Sequence, residues 1–124
     1  MMRGLATAGA LLCALGVALG AVAMHAALPA HDHERLALAA SFAFAQGVGL
    51  AALAPGAGTS RARRIGLCAV LAGTILFAGS LVLAAFAGVE PRLAPIGGSL
   101  QILGWLAVAV GFAKDGLGDR GGDA

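Results

Sequence analysis

Residues Ala94–Ala113, APIGGSLQILGWLAVAVGFA, form an uninterrupted run without a charged side chain. At roughly 1.5 Å per helical residue the run is about 30 Å long, which is the thickness of the hydrocarbon core of a bilayer. Pro95 suits the first turn of a helix, because the N–H that proline lacks would have no partner there. Lys114 and Asp115 end the run. The segment therefore predicts a membrane-spanning helix.

The composition of the whole chain is that of an integral membrane protein. Of its 124 residues, 60% are hydrophobic and 11% are charged, and the mean hydropathy is +0.92. Soluble domains carry about 25% charged residues. The net charge of +2 comes from a few arginines beside apolar segments, so we expect the lipid bilayer, and no nucleic acid, as a partner. Cys13 and Cys68 form no CxxC motif and indicate neither a zinc site nor a redox pair.

Three further apolar segments precede this one. The pattern predicts helices at about residues 5–28, 36–54 and 65–88, with the fourth at 93–113. These helices make up one transmembrane domain, residues 1–113. The polar, glycine-rich tail at 114–124 predicts disorder. The two helix pairs have similar lengths, but no internal repeat is evident.

The first segment has a second interpretation, as a cleaved secretory signal peptide. Arg3 supplies a short positive start, and Ala21-Val22-Ala23 is an A-x-A cleavage pattern. The apolar run from Leu5 to about Leu28 is longer than the usual core of about 7–15 residues in a signal peptide, which favours a retained helix.

The distribution of positive charges predicts the orientation of the helices. In a four-span arrangement one side carries Arg3, Arg61, Arg63, Arg64, Lys114 and Arg120, and the other carries Arg35 and Arg92. Because cytoplasmic loops carry the excess of lysine and arginine, both termini are predicted to be cytoplasmic. The expected fold class is an all-α, integral membrane four-helix bundle.

Small residues inside the predicted spans indicate where helices pack closely. Glycine lets two helix backbones approach each other, and Gly16 and Gly20 form a G-x-x-x-G pattern. The predicted packing residues are Gly16, Gly20, Gly79, Gly97, Gly98, Gly104 and Trp105. We expect them to mediate helix contacts.

A few polar residues inside the spans predict a polar layer. Counted from the outer end of each helix, Gln46, Ser80 and Gln101 lie about 12–15 Å deep, and His25 lies nearer the outer surface. An unpaired amide in hydrocarbon costs several kcal/mol, so these side chains are expected to turn inward and bond each other, the backbone or water. The layer either fixes helix register or lines the pocket or permeation route of a small transporter or channel. The predicted spans carry no Asp, Glu, Lys or Arg, which places transport second.

The outer connection offers a third hypothesis, a metal site. His31 and His33, with Asp32 and Glu34 beside them and His25 nearby, are side chains of the types that bind zinc or copper. H-x-H in a loop is a weak pattern, and we favour a solvated polar loop without a metal or other cofactor.

Catalytic motifs are not evident in the chain. Ser80 lacks the G-x-S-x-G elbow and has no histidine or carboxylate beside it in sequence. We therefore predict no catalytic residue and no enzymatic activity.

Three groups of residues resemble those of a known family. They are Gly20-Ala21 with His25, the run Leu76-Phe77-Ala78-Gly79-Ser80-Leu81, and Pro95-Ile96-Gly97-Gly98 followed by Gly104-Trp105. From about Leu15 to Phe112 the chain resembles the domain-of-unknown-function 423 family, small bacterial inner-membrane proteins similar to the eukaryotic transmembrane protein 256. Gln46 stands where that family often has a histidine.

The resemblance implies four helices and an address in the inner membrane, without an established activity. We expect a multi-pass inner-membrane protein that is a non-enzymatic accessory or assembly component of a larger membrane complex, or a homo-oligomer.

Overall fold

Four long helices account for nearly all of the computed structural model, which describes residues 1–122. They are α1 (Met2–His25), α2 (Ala30–Leu53), α3 (Arg61–Ala87) and α4 (Ala94–Gly122), with a single 3₁₀ turn at Pro55–Ala57. The helices contain 24, 24, 27 and 29 residues, so each is about 36–44 Å long. All four are long and apolar enough to cross a membrane.

The first three helices begin earlier than the hydrophobic pattern predicts, whereas α4 begins at Ala94, within one residue of its predicted start. The polar segment expected to connect the first two helices is instead the start of α2, because the Pro29 carbonyl accepts the N–H groups of Asp32 and His33 at 3.0 and 3.1 Å. Asp32 also suits the positive end of the helix dipole. The basic cluster at residues 61–64 likewise forms the first turn of α3, after Ser60. Apolar length therefore predicts the middle of each helix better than its ends.

The tail was predicted to be disordered, but it is helical up to residue 122. Residues 114–122 continue α4, and Asp115 on this extension pairs with Arg63 of α3 through an Oδ2–Nη2 distance of 2.9 Å. Backbone hydrogen bonding continues past the apolar segment even though these residues are exposed. Residues 123 and 124 of the predicted tail lie outside the described part of the chain.

The first hairpin consists of α1 and α2, which touch backbone to backbone. A Cβ atom placed on Gly9 would lie 2.6 Å from the Gly47 carbonyl oxygen, and one on Gly16 would lie 2.9 Å from the Ala40 carbonyl oxygen. Gly9 and Gly16 are seven residues apart, which places them on one face of α1. Any side chain at these positions would force the two helices apart.

The second hairpin consists of α3 and α4 and has the same construction. A Cβ atom on Gly66 would lie 2.5 Å from the Gly104 carbonyl oxygen, and one on Gly73 would lie 2.6 Å from the Gly97 carbonyl oxygen. Gly111 continues the series near Arg63. Glycines spaced by seven on both helices therefore set the distance between them.

The two hairpins are built on the same spacing of small residues, although no internal repeat was predicted. Each close-packed glycine of the first hairpin has a counterpart 57 residues later: Gly9 and Gly66, Gly16 and Gly73, Gly47 and Gly104. The same offset relates Ala40 to Gly97 and the segment Arg35-Leu36-Ala37 to Arg92-Leu93-Ala94. The chain is thus an internal repeat of two helical hairpins.

The hairpins join along α2 and α3. Leu50 of α2 belongs to one buried cluster with Leu67 and Val70 of α3. The rings of Phe42 and Phe77 meet with centroids 4.6 Å apart. Among the described residues α1 and α4 share no extended contact, so the four helices form two adjoining hairpins and not a closed ring.

Candidate functional site: a polar layer between α2 and α4

Three side chains form a hydrogen-bonded chain between the two hairpins. The indole Nε1 of Trp105 donates to Oε1 of Gln46 at 2.8 Å, and Nε2 of Gln46 donates to Oε1 of Gln101 at 3.0 Å. Gln101 and Trp105 are four residues apart on α4 and therefore lie on the same face of that helix. One glutamine on α2 is thus bonded to two residues on α4.

The indole determines the orientation of both amides. Trp105 can only donate, so the oxygen of Gln46 faces the indole and its NH₂ group faces the oxygen of Gln101. The Nε2 of Gln101 is consequently left buried without a hydrogen-bond partner, and the residue as a whole is only 3% exposed.

Glycines on the neighbouring helices make room for this layer. A Cβ atom on Gly49 would lie 2.8 Å from the Cη2 atom of Trp105. A Cβ atom on Gly73 would lie 2.9 Å from the Cγ atom of Gln101. The layer forms because α2 and α3 have no side chain at these two positions.

The other two residues of the predicted layer lie elsewhere. Ser80 donates to the carbonyl of Phe77 on its own helix at 3.0 Å. His25 is the exposed last residue of α1. Depth along a helix therefore predicted the Gln46–Gln101 contact, and Trp105, which was assigned to packing, is the third member.

The predicted packing glycines divide into two groups. Gly16, Gly97 and Gly104 lie at backbone contacts, where an added Cβ atom would lie closer than 3.0 Å to the neighbouring helix. Gly20 would make only an ordinary contact of 3.9 Å, and Gly79 and Gly98 have no atom within 4 Å. Close contacts that were not predicted lie at Gly9, Gly47, Gly66, Gly73 and Gly111. Their signal is the spacing of seven.

Three of the five residues of the hypothetical outer metal site, which the sequence does not favour, make other contacts. The Nδ1 of His33 is hydrogen-bonded to the carbonyl oxygen of Ala23, which ties the start of α2 to α1. The Oδ1 atom of Asp32 lies 3.2 Å from Nη1 of Arg35 and 3.4 Å from Nε2 of His31. Within residues 1–122, His, Cys, Asp and Glu side chains form no group of three that could hold a metal ion.

An apolar groove of about 440 Å³ lies between α1 and α3. Its walls include Leu12, Leu15, Ile75 and Leu83. Neither Gln46 nor Gln101 lines it, so the groove and the polar layer are separate features.

Four helices that are long and apolar enough to cross a membrane, with Gln46, Gln101 and Trp105 bonded to one another across the hairpins, indicate a multi-pass membrane protein. A family model described as a protein of unknown function, DUF423, matches residues 19–98, which is well over half of the chain. The chain belongs to this family, and the predicted family membership is confirmed by a match over residues 19–98. No curated protein and no solved structure matches it.

Proposed function

We propose that this protein is a non-enzymatic component of a membrane assembly, either an accessory subunit of a larger complex or a homo-oligomer. The observation that carries the proposal is the polar layer itself. The amides of Gln46 and Gln101 and the indole of Trp105 bond to one another, and the apolar groove does not reach them. The polar chemistry inside the spans thus supports a role in holding the hairpins together.

Purification tests this proposal. The protein is extracted from its source membrane in native nanodiscs, and its mass and accompanying chains are measured by mass spectrometry. A stoichiometric partner or a defined homo-oligomer is the expected result. An unrelated four-helix membrane protein with the same tag is the control. A monomer with no partner above that control would contradict the proposal.

We further propose that the protein is located in the inner membrane with both termini in the cytoplasm. In the antiparallel hairpins, the start of α1, the start of α3 and the end of α4 lie at one end, which carries most of the arginine and lysine residues. This distribution supports the orientation. Single cysteines replacing Glu34 and Asp119, in a chain lacking Cys13 and Cys68, give the test. A membrane-impermeant maleimide added to intact cells should label the cysteine at position 34 alone. Labelling at position 119 alone would show that the orientation is the opposite of the proposed one.

A small transporter or channel is the second candidate. The buried Nε2 of Gln101 favours it, because this donor is free for a ligand or a water molecule. The support is weaker than for an assembly role, since Ser80 bonds its own helix and does not extend the layer. Solute flux into proteoliposomes that is lost in Gln101→Leu, while that variant remains folded, would establish transport and overturn the assembly proposal as the primary role.

A further inference from the structure

The internal repeat assigns an equivalent position in the other hairpin to every residue that joins the two hairpins. The α2–α3 interface uses the second helix of one repeat and the first helix of the next. Its counterparts by the 57-residue offset are α4, the second helix of the last repeat, and α1, the first helix of the first repeat. Within one chain these two surfaces do not meet over the described residues. Each hairpin therefore presents an equivalent of the joining surface that the rest of the described chain leaves uncovered.

On α1 the equivalent surface is the α1 free face, defined as Ala10, Val17, Gly20, Ala21 and Met24. Their counterparts on α3 are Leu67, Thr74, Phe77, Ala78 and Leu81. Thr74 is fully buried, whereas Val17 is 64% exposed. Leu81 is 7% exposed, whereas Met24 is 80% exposed. Four of the five positions are thus buried in the second repeat and exposed in the first, whereas Gly20 and Phe77 are both half-buried.

On α4 the equivalent surface is the α4 free face, defined as Ile96, Ser99, Leu103 and Val110. Their counterparts on α2 are Ala39, Phe42, Gln46 and Leu53. Ala39 is fully buried, whereas Ile96 is 53% exposed and Leu103 is 62% exposed. The other three counterparts on α2 are half-buried, whereas Ser99 and Val110 on α4 are exposed like Ile96 and Leu103, so the contrast on α4 is in the same direction but smaller than on α1.

We propose that the α4 free face of one copy packs against the α1 free face of a second copy, antiparallel, in the manner in which α2 packs against α3 within the chain. This inference rests on the proposed assembly role and names the partner as another copy. Exposed apolar side chains in a membrane can simply contact lipid, but the repeat selects two particular faces that match an interface already present in the fold. The small residues Ala10, Gly20 and Ala21 allow a close approach of α4.

The contact is heterologous, because the face used on one copy differs from the face used on the next. Two copies joined in this way leave one free face of each kind at the ends of the row. Further copies can add until the row closes. The expected products are therefore dimers and larger species.

Disulfide cross-linking tests the proposal directly. Phe42 and Phe77, whose rings meet inside the chain, correspond to Ser99 and Gly20. Gly20→Cys and Ser99→Cys are introduced together into a chain in which Cys13 and Cys68 are replaced by alanine. Position 20 accepts a side chain, since a Cβ there makes only a 3.9 Å contact, and Ser99 is exposed. Oxidation of isolated membranes with copper phenanthroline is expected to give dimers and larger species.

The matched control moves one cysteine. Val22→Cys replaces Gly20→Cys, which keeps nearly the same depth but turns the thiol about 200° around α1. Val22 is exposed, so a random collision would trap it as readily. Equal cross-linking of the two pairs, or none in the Gly20→Cys pair, would overturn the proposal. Dimers of either single variant alone would indicate a symmetric contact and would also overturn it.

The two proposals fail in different ways. A foreign stoichiometric partner in the nanodisc experiment without cross-linking between copies would reject the second copy and leave the assembly role standing. A lone monomer without cross-linking would reject both. A co-expressed mixture of the two single-cysteine variants should give dimers only, because each copy then has one reactive face.

Discussion

Replacing Gly104 by alanine adds one methyl group where α3 and α4 are closest. The new Cβ atom would lie 2.7 Å from the carbonyl oxygen of Gly66 and 2.9 Å from the backbone nitrogen of Val70, whereas ordinary van der Waals contact begins at 3.4 Å. Both contacts are with backbone atoms. The clash therefore cannot be relieved by rotating a side chain, and the helices must move apart.

The size of the effect follows from two opposing contributions. An extra methylene forced into a packed interior costs about 1–3 kcal/mol. Alanine returns at most about 1 kcal/mol, because it favours the helix more than glycine does. Since the contact involves backbone on the opposing helix, we expect the upper part of the cost. The free energy of unfolding of Gly104→Ala should fall by about 1–2 kcal/mol.

Gly98→Ala is the matched control on the same helix. A Cβ atom at Gly98 meets nothing within 4 Å, so this variant should be as stable as the parent or slightly more stable. Both variants are unfolded by SDS in mixed micelles, and helicity is followed by circular dichroism. If Gly104→Ala unfolds at the same SDS fraction as Gly98→Ala, the reasoning that backbone contact limits the α3–α4 distance is refuted.

Three further perturbations test other contacts. Gln46→Leu removes the hydrogen-bond acceptor of the Trp105 indole, so it should lower the free energy of unfolding by about 1–3 kcal/mol and shift the fluorescence emission of this single tryptophan. An unchanged emission spectrum would argue against the hydrogen bond. Asp115→Asn breaks the ion pair with Arg63 but should lower the free energy of unfolding by at most about 1 kcal/mol in the same SDS titration, because the Asp115 side chain is 47% exposed. A larger decrease would show that the pair is shielded from water. Deleting residues 116–124 should reduce the helical signal in circular dichroism without moving the SDS midpoint, since residues 116–122 are exposed, and a lowered midpoint would reveal a contact made by the tail.

Apolar length predicted the four helices because a span must be about twenty apolar residues long whatever its neighbours are. It did not predict where each helix begins, since polar residues also form the first turns of α2 and α3 after Pro29 and Ser60. The repeat was missed for a different reason. Its signal is one small residue in seven, and the chain contains 20 glycines, of which nine pack closely, so the spacing is obscured by the glycines that do not.

The polar layer was predictable in depth but not in direction. Gln46 and Gln101 were placed at one level by counting residues, and their amides meet there. Ser80 lies at the same predicted level, but a hydroxyl can be satisfied by the carbonyl three residues earlier, and it is. An amide or an indole in an apolar span has no such local partner for all of its groups. The side chains whose hydrogen-bonding groups cannot all find partners on their own helix are the ones that connect helices.

The contacts within each hairpin and those between hairpins stabilise the fold in different ways. Within a hairpin, backbones touch at glycines such as Gly16 and Gly104, and any lateral movement is opposed by atoms that cannot rotate away. Between hairpins, apolar side chains such as Leu50 fill the interface, and such non-directional contacts do not by themselves fix one alignment of the helices. Gln46 removes that freedom, because its oxygen and its NH₂ group are satisfied only when two particular positions of α4 stand opposite. Neither the amides nor the indole carries a charge, so the register they fix is independent of both pH and membrane potential.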